Sequence, residues 1–322
     1  MELKPKKVVL VTGGTGLVGS AIRDYVASSP DLQEWANWIF MGFEEYDLRS
    51  VEQTALCFNR YKPTHVIHLA ARVGGLFANM RNKVGFWRDN THINDNVMEQ
   101  CRLYNVEKLV SFLSTCIFPD KTKYPIDETM IHLGPPHQSN EGYAYAKRMI
   151  DVLNRCYHDQ YGCNFTSVIP TNIFGPYDNY SLESGHVIPS LIHKCYLAIK
   201  NNTPLTVHGS GKPLRQFMYS KDIAQLVVWV LLNYDTVEPL VLSVDEKDEI
   251  SICEVAHLIA HAMGLPASRI VFDRTSADGQ FKKTASNRKL RQFLPDFQFT
   301  PIEEAIKASC QWFVDHYEET RK

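Results

Sequence analysis

Val8-Val9-Leu10-Val11-Thr12-Gly13-Gly14-Thr15-Gly16-Leu17-Val18-Gly19 passes from an unbroken apolar run into a cluster of glycines. The β-branched run suits a strand buried on both faces. The residues after Gly16 start a helical pattern, in which Ile22, Tyr25 and Val26 share one face. Between strand and helix the glycines have separate tasks. The early ones permit a tight turn, Gly16 lets the backbone approach a pyrophosphate, and Gly19 lets the helix pack closely on the strand. The helix N-terminus then offers free N–H groups and a positive dipole end to phosphates. A dinucleotide coenzyme is the expected ligand of this stretch.

Short apolar runs recur at 38–40, 65–70, 109–113 and 165–169, with longer amphipathic stretches between them. The segments 86–103 and 143–157 read as two long helices. Strand and helix alternating in this order predict right-handed βαβ units. Past residue 175 the texture changes, and Pro176, Pro189, Pro204 and Pro213 punctuate the chain. Ser251 to Glu254 forms a capping box for a helix to Met263, which Gly264 ends. Pro301 is expected at the first helical position of another helix. The expected fold is α/β: a Rossmann-type doubly wound parallel sheet with a smaller C-terminal α/β substrate domain that completes a cleft. Residues 1–175 are assigned to the coenzyme domain and 176–322 mainly to the substrate domain. Later segments, such as 216–243, are free to return to the first.

With 322 residues, 44% hydrophobic and 22% charged, the composition excludes intrinsic disorder. The formal charge of −2 gives no reason to expect nucleic acid or an anionic membrane as partner. The apolar run near the N-terminus is too short for a signal peptide, and no stretch is long enough to span a membrane. A cytoplasmic location is therefore expected. Eight cysteines at irregular spacing, none in a C-x-x-C pair, argue against a metal site or a disulfide framework.

Tyr143-Ala-Tyr-Ala-Lys147 sets a tyrosine and a lysine one helical turn apart, on one face. A neighbouring ammonium favours the phenolate, so Lys147 is expected to lower the pKa of Tyr143 and let it exchange a proton. Ser114 follows the strand at 109–113, at the end where doubly wound sheets bind ligands. Cys116 lies two residues further on, where a tuned thiol can transfer a proton. His186, between Gly185 and an apolar run, is a candidate acid or coenzyme contact. After the second strand come Met41-Gly42-Phe43, with Glu44 and Glu45 arriving late and no arginine placed to grip a 2′-phosphate. That position leaves NAD against NADP open, with Asp47 and Leu48 as candidates to line the adenine.

Ser114, Tyr143 and Lys147 form the triad of short-chain dehydrogenases of the extended kind. Together with Ser114-Thr115-Cys116-Ile117-Phe118-Pro119, Gly185-His186-Val187, His68-Leu69-Ala70-Ala71-Arg72-Val73-Gly74-Gly75, Pro170-Thr171-Asn172-Ile173-Phe174-Gly175-Pro176 and Arg215-Gln216-Phe217, they make the chain resemble the GDP-L-fucose synthase family along essentially its whole length. The resemblance implies NADPH as hydride donor and two reactions in one site. These are 3,5-epimerisation of a GDP-4-keto-6-deoxy sugar, then reduction at C4. It implies Cys116 as base, His186 as acid, and Ser114, Tyr143 and Lys147 as the reductase triad. Coenzyme contacts extend to Asp47, Leu48, Leu69, Ala70, Ala71, Lys147, Pro170, Thr171, Asn172, Ile173 and His186. Lys194, His208, Arg215 and Asp278 match the GDP-sugar positions, although His208 stands where the family pattern has tryptophan. A homodimer built on a four-helix bundle is implied as well. The same scaffold also serves 4-epimerases and 4,6-dehydratases, which regenerate a tightly held coenzyme, and nucleotide-sensing proteins without turnover.

Overall fold

The structure is a computed structural model that describes residues 6–275 and 281–322. The first half runs β1 (Lys7–Thr12), α1 (Leu17–Ala27), α2 (Pro30–Trp35), β2 (Ala36–Met41), α3 (Val51–Tyr61), β3 (His65–His68), α4 (Leu76–Arg81), α5 (Lys83–Leu103), β4 (Lys108–Phe112), α6 (Glu141–Tyr161) and β5 (Phe165–Pro170). It continues with β6 (Asn172–Phe174), α7 (Val187–Lys200), β7 (Leu205–His208), β8 (Leu214–Arg215), β9 (Phe217–Tyr219), α8 (Ser220–Asn233) and β10 (Leu240–Leu242). The last elements are β11 (Ile250–Ser251), α9 (Ile252–Ala262), β12 (Ile270–Asp273), α10 (Arg288–Phe293) and α11 (Ile302–Asp315).

Six strands form one sheet in the order β10-β5-β4-β3-β1-β2. The pairings from β2 through β1, β3 and β4 to β5 are parallel, as the buried β-branched runs predict. From β1 the chain winds to β2 on one side and then to β3 on the other. That reversal creates a topological switch point between β1 and β3, where doubly wound sheets bind ligands beyond the strand ends. The register aligns those ends, with Thr12 opposite both Met41 and His68, and His68 opposite Ser111.

The chain divides into two compact units. The first comprises the chain up to Lys121, Glu128–Pro170 and Ile223–Leu240. The second comprises Thr122–Asp127, Thr171–Asp222 and Val241 onward. The second unit has its own core, in which Ile188, Leu191 and Ile192 of α7, Val255 and Ile259 of α9, and Ile306 and Phe313 of α11 are buried. Tyr180 stacks on Phe313 with ring centroids 4.5 Å apart. Its short sheets pair β6 with β9, β7 with β12 and β8 with β11.

Local signals set most boundaries. The capping box of α9 forms, with the Ser251 hydroxyl accepting from the Glu254 backbone N–H and Glu254 returning to Ser251. Gly264 follows in the left-handed region at φ 75°. Helix α6 runs four residues beyond the segment read from periodicity, to Tyr161, because the left-handed residue that ends it is Gly162. Strand β3 stops at His68 rather than continuing to Ala70. There the Leu69 N–H donates to the Thr12 carbonyl and the Ala70 N–H to the Thr12 hydroxyl, so the chain leaves the ladder. Pro301 caps α11 instead of occupying its first turn.

Candidate active site

The glycine loop is built as the sequence requires. A Cβ on Gly19 would lie 2.5 Å from Gly14 Cα, so only glycine lets α1 sit this close to the turn. A Cβ on Gly16 would meet only the Gly13 carbonyl, at 3.4 Å. Gly16 caps α1 without a side-chain bond, and no acidic residue occupies the helix's first turn. The loop therefore presents backbone donors and a positive dipole end with open space above Gly16, which fits a pyrophosphate. Thr171, also in the proposed coenzyme set, has a buried hydroxyl with no hydrogen-bond partner among the described residues.

Asp47 and Leu48 follow β2, with Leu48 buried. Arg49, which the sequence reading passed over, forks onto the Asp47 carboxylate at 2.7 and 2.9 Å. The Arg49 hydrogen bond holds the Asp47 carboxyl below its ordinary pKa. Asn90 of α5 pins the chain beyond Ala71, accepting from the Arg72 N–H and donating to the Arg72 carbonyl, both at 3.0 Å.

At the switch point, the Thr12 hydroxyl lies 2.8 Å from His68 Nδ1, and His68 Nε2 lies 3.2 Å from Asn94 Oδ1. The Asn94 amide donates onward to the Ala146 carbonyl at 3.3 Å. Burial, with a further push from the Lys147 charge, holds His68 neutral by lowering its pKa to about 3. The network thus ties β1, β3, α5 and α6 together without a charge.

Ser114, Cys116, Tyr143 and Lys147 all belong to the first unit. Ser114 lies two residues past β4 and caps a short 3-10 turn, Thr115–Ile117, with its hydroxyl 3.4 Å from the Cys116 backbone nitrogen. Cys116 is half-buried within that turn. Tyr143 packs edge-on against Phe86 with centroids 6.4 Å apart and keeps part of its surface open. Lys147 is 2% exposed, and its ammonium donates to the Phe112 carbonyl at 2.9 Å. Burial pulls the Lys147 pKa down to about 8.

The same burial pushes Tyr143 up, above the ordinary phenol range, with the nearby Cys116 adding to the effect. This reverses the direction read from the Y-x-x-x-K spacing. The spacing does place both residues on α6, but the ammonium is committed to a backbone carbonyl. The resting group is a phenol with its proton in place.

Lys147 also carries a stability consequence. Its folded pKa of about 8 lies below the unfolded value of about 10.4, so the unfolded chain binds more protons between these pH values. Wild-type stability should therefore gain from this group as pH rises through that window. Lys147→Met should melt no lower than wild type at pH 7 and lack that gain. Thermal unfolding at pH 7 and pH 9 checks both, and a Met variant that melts lower at pH 7 would refute the account.

Four of the remaining candidates, His186, Lys194, Arg215 and His208, belong to the second unit. His186 is the N-cap residue of α7, its ring pKa lowered by burial, and Lys194 lies half-buried two turns into the same helix. Burial lowers the pKa of Lys194 and of Arg215, the latter on β8 with Nη1 on the Leu214 carbonyl at 2.7 Å. His208 ends β7 beside Asp273, its parallel partner, with Nδ1 3.3 Å from the carboxylate. Asp278 lies outside the described residues. No group of His, Cys, Asp and Glu among the described residues is arranged to hold a metal.

A switch point beyond β1 and β3, a glycine turn leading into α1, and Ser114, Tyr143 and Lys147 after the neighbouring strand and on α6 match the pattern of a nucleotide-dependent short-chain oxidoreductase or epimerase. Residues 9–244 match the NAD dependent epimerase/dehydratase family, and the chain belongs to that family. Its relatives matched over nearly their full length include GDP-L-fucose synthases. The one from Dictyostelium discoideum is 63% identical over 321 residues, covering 100% of this chain and 99% of the relative. A probable GDP-L-fucose synthase of Drosophila melanogaster is 54% identical, covering 98% and 100%. The crystal structure of a GDP-L-fucose synthetase from Naegleria fowleri bound to NADP superposes with a TM-score of 0.94 at 50% identity, covering 100% of this chain and 97% of that one.

Proposed function

We propose that the protein makes GDP-L-fucose from GDP-4-keto-6-deoxy-D-mannose, by 3,5-epimerisation followed by NADPH-dependent reduction of the C4 ketone. The observation that carries this reading is the placement of a thiol, Cys116, two residues beyond Ser114 in the strand-end turn held by the helix of Tyr143 and Lys147. A plain reductase has no use for that thiol. The full-length identity to GDP-L-fucose synthases supports the same substrate.

In this mechanism Ser114 and Tyr143 hold the C4 oxygen, stabilising the charge that develops there. The ketone acidifies the hydrogens at C3 and C5. At each centre the Cys116 thiolate takes the proton and protonated His186 gives one to the opposite face; between the two inversions Cys116 releases its proton to solvent and His186 takes one up. NADPH, when bound, supplies the hydride for C4. Tyr143 gives its phenolic proton to the C4 oxygen, and Lys147 holds the nicotinamide ribose. Gly13, Gly14, Gly16 and Gly19 with the first turn of α1 would take the pyrophosphate, and Asp47 and Leu48 would line the adenine. Arg215 and Lys194 neutralise the sugar diphosphate. Asp278 and His208 complete the substrate set.

A homodimer through α5 and α6 belongs to this proposal. Val84 and Trp87 of α5 and Tyr161 of α6 are exposed apolar side chains that such a bundle would cover. Light scattering would then give twice the 36.8 kDa chain mass. We place the protein in the cytoplasm, and no described helix is long and apolar enough to cross a membrane.

The function is tested by mixing the protein with the keto sugar and NADPH in heavy water. NADPH loss with deuterium at C3 and C5 of the product supports the proposal. Loss of NADPH without deuterium leaves a ketone reductase, and no net NADPH loss favours a 4-epimerase or dehydratase. The coenzyme loop has its own test. Gly16→Ala should keep the fold, since its Cβ meets only the Gly13 carbonyl, but it places a methyl group where phosphate must approach. Its melting temperature should stay close to wild type while NADPH affinity drops by about tenfold or more. Unchanged affinity in a calorimetric titration would move the pyrophosphate elsewhere.

A further inference from the structure

Arg148 follows Lys147 on α6 and is 4% exposed. Neither the triad nor the coenzyme set uses it. Its Nε donates to the Ile117 carbonyl at 2.8 Å, and its Nη2 donates to that same oxygen. Its Nη1 donates to the Gly134 carbonyl at 2.8 Å. The guanidinium also lies 5.2 Å from the Tyr145 ring centroid.

Ile117 is the residue after Cys116 and closes the 3-10 turn on which the thiol rides. Lys147, one position earlier on the helix, grips the Phe112 carbonyl at the other side of Ser114. Adjacent helix residues project about 100° apart, so the two cations diverge and hold two points of one short segment. The segment from Phe112 to Ile117, bearing Ser114 and Cys116, is thereby stapled at both ends to the helix that bears Tyr143. A neutral side chain at 148 would free the far end, the one next to the thiol, and a single ammonium there would hold it less firmly. A guanidinium fork fixes direction as well as distance, which a single point charge does not.

We propose that Arg148 is the positioning residue for Cys116. By clamping the Ile117 carbonyl it fixes the thiol against the sugar and so governs epimerisation separately from reduction. The inference rests on the reading of Cys116 as the base. The near end of the segment, with Ser114, keeps its Lys147 anchor when Arg148 is lost, so reduction does not depend on the fork.

The test compares two rates in the purified full chain. One is solvent-deuterium exchange at C3 and C5 of GDP-4-keto-6-deoxy-D-mannose, and the other is NADPH-dependent reduction of the unepimerised ketone. For Arg148→Met the exchange kcat should fall about 100-fold, the loss expected when a reacting group is misplaced by roughly an ångström. KM for the sugar and the reduction rate should each stay within about threefold of wild type. Arg148→Lys should recover much of the exchange while leaving it below wild type. An equal fall in exchange and reduction would make Arg148 a fold residue only and overturn the inference, as would an unchanged exchange rate. Should the Met variant not fold, the Lys variant decides: a ratio of exchange to reduction equal to wild type overturns it. A wild-type protein that reduces without exchanging removes the Cys116 reading itself. Wild-type exchange with an unshifted ratio in the variants removes only the role of Arg148.

Discussion

Tyr143→Phe is expected to cut NADPH-dependent reduction by about 10²- to 10⁴-fold, the range for losing a positioned general acid. The substitution removes one oxygen and keeps the ring, so the edge-on contact with Phe86 survives. Burial keeps the phenol protonated, which is the form required to deliver a proton to the C4 oxygen as hydride arrives. Deuterium exchange at C3 and C5 should fall too, because the oxygen that stabilises the enolate loses a donor. NADPH affinity should hold, since Lys147 and the glycine loop are untouched. Stopped-flow measurement of NADPH oxidation checks the rate, and a variant reducing at the wild-type rate would strip Tyr143 of the acid role.

Cys116→Ser separates the two reactions more sharply. A serine hydroxyl is too weak an acid to supply a competent base near neutral pH, while its size suits the same turn. Exchange at C3 and C5 should fall about 10²- to 10⁴-fold, and reduction of the unepimerised ketone should change little. The Ser114 hydroxyl and the Lys147 anchor both act outside the thiol, so nothing else in the turn needs to move. Product analysis by NMR shows the outcome directly, as the reduced sugar would retain its starting configuration at C3 and C5. Full epimerisation by this variant would return Cys116 to a packing role.

The turn was legible in Val8 to Gly19 because the constraint on Gly19 lies within it, whereas Gly13 and Gly14 answer to Ala70 and Phe40 further along the chain. Gly19 against Gly14 and Gly13 is a local constraint that a short window contains. The proposed catalytic group could be picked out from local spacing: Tyr143 and Lys147 are one turn apart, and Ser114 and Cys116 lie in one turn after β4. The hydrogen-bond network was not. His68 meets Thr12 and Asn94, partners 56 and 26 positions away, and Arg148 reaches Ile117 across 31. Nothing in the residue types marks those pairings before the sheet order is known. The pKa of Tyr143 was misread for the same cause, since burial is a property of the assembled unit and the spacing reports only the neighbour. Arg49 escaped notice because it follows Asp47 by two residues, past the strand end where a 2′-phosphate ligand is sought.

The first unit is completed by Ile223–Leu240, and β10, which starts at Leu240, is the edge strand beside β5 in the six-stranded sheet. During synthesis, β1 to β5 emerge long before that strand. Until then β5 offers a bare row of hydrogen-bonding groups, and the Lys108 ammonium awaits the Tyr234 carbonyl that later accepts it. A ribosome-bound fragment ending before α8 would thus carry a sticky edge, and the buried apolar side chains of α8, among them Val227 and Val230, would still be missing. The order in which the chain is made therefore sets a period of vulnerability to aggregation, which ends only when the final third of the polypeptide is being made.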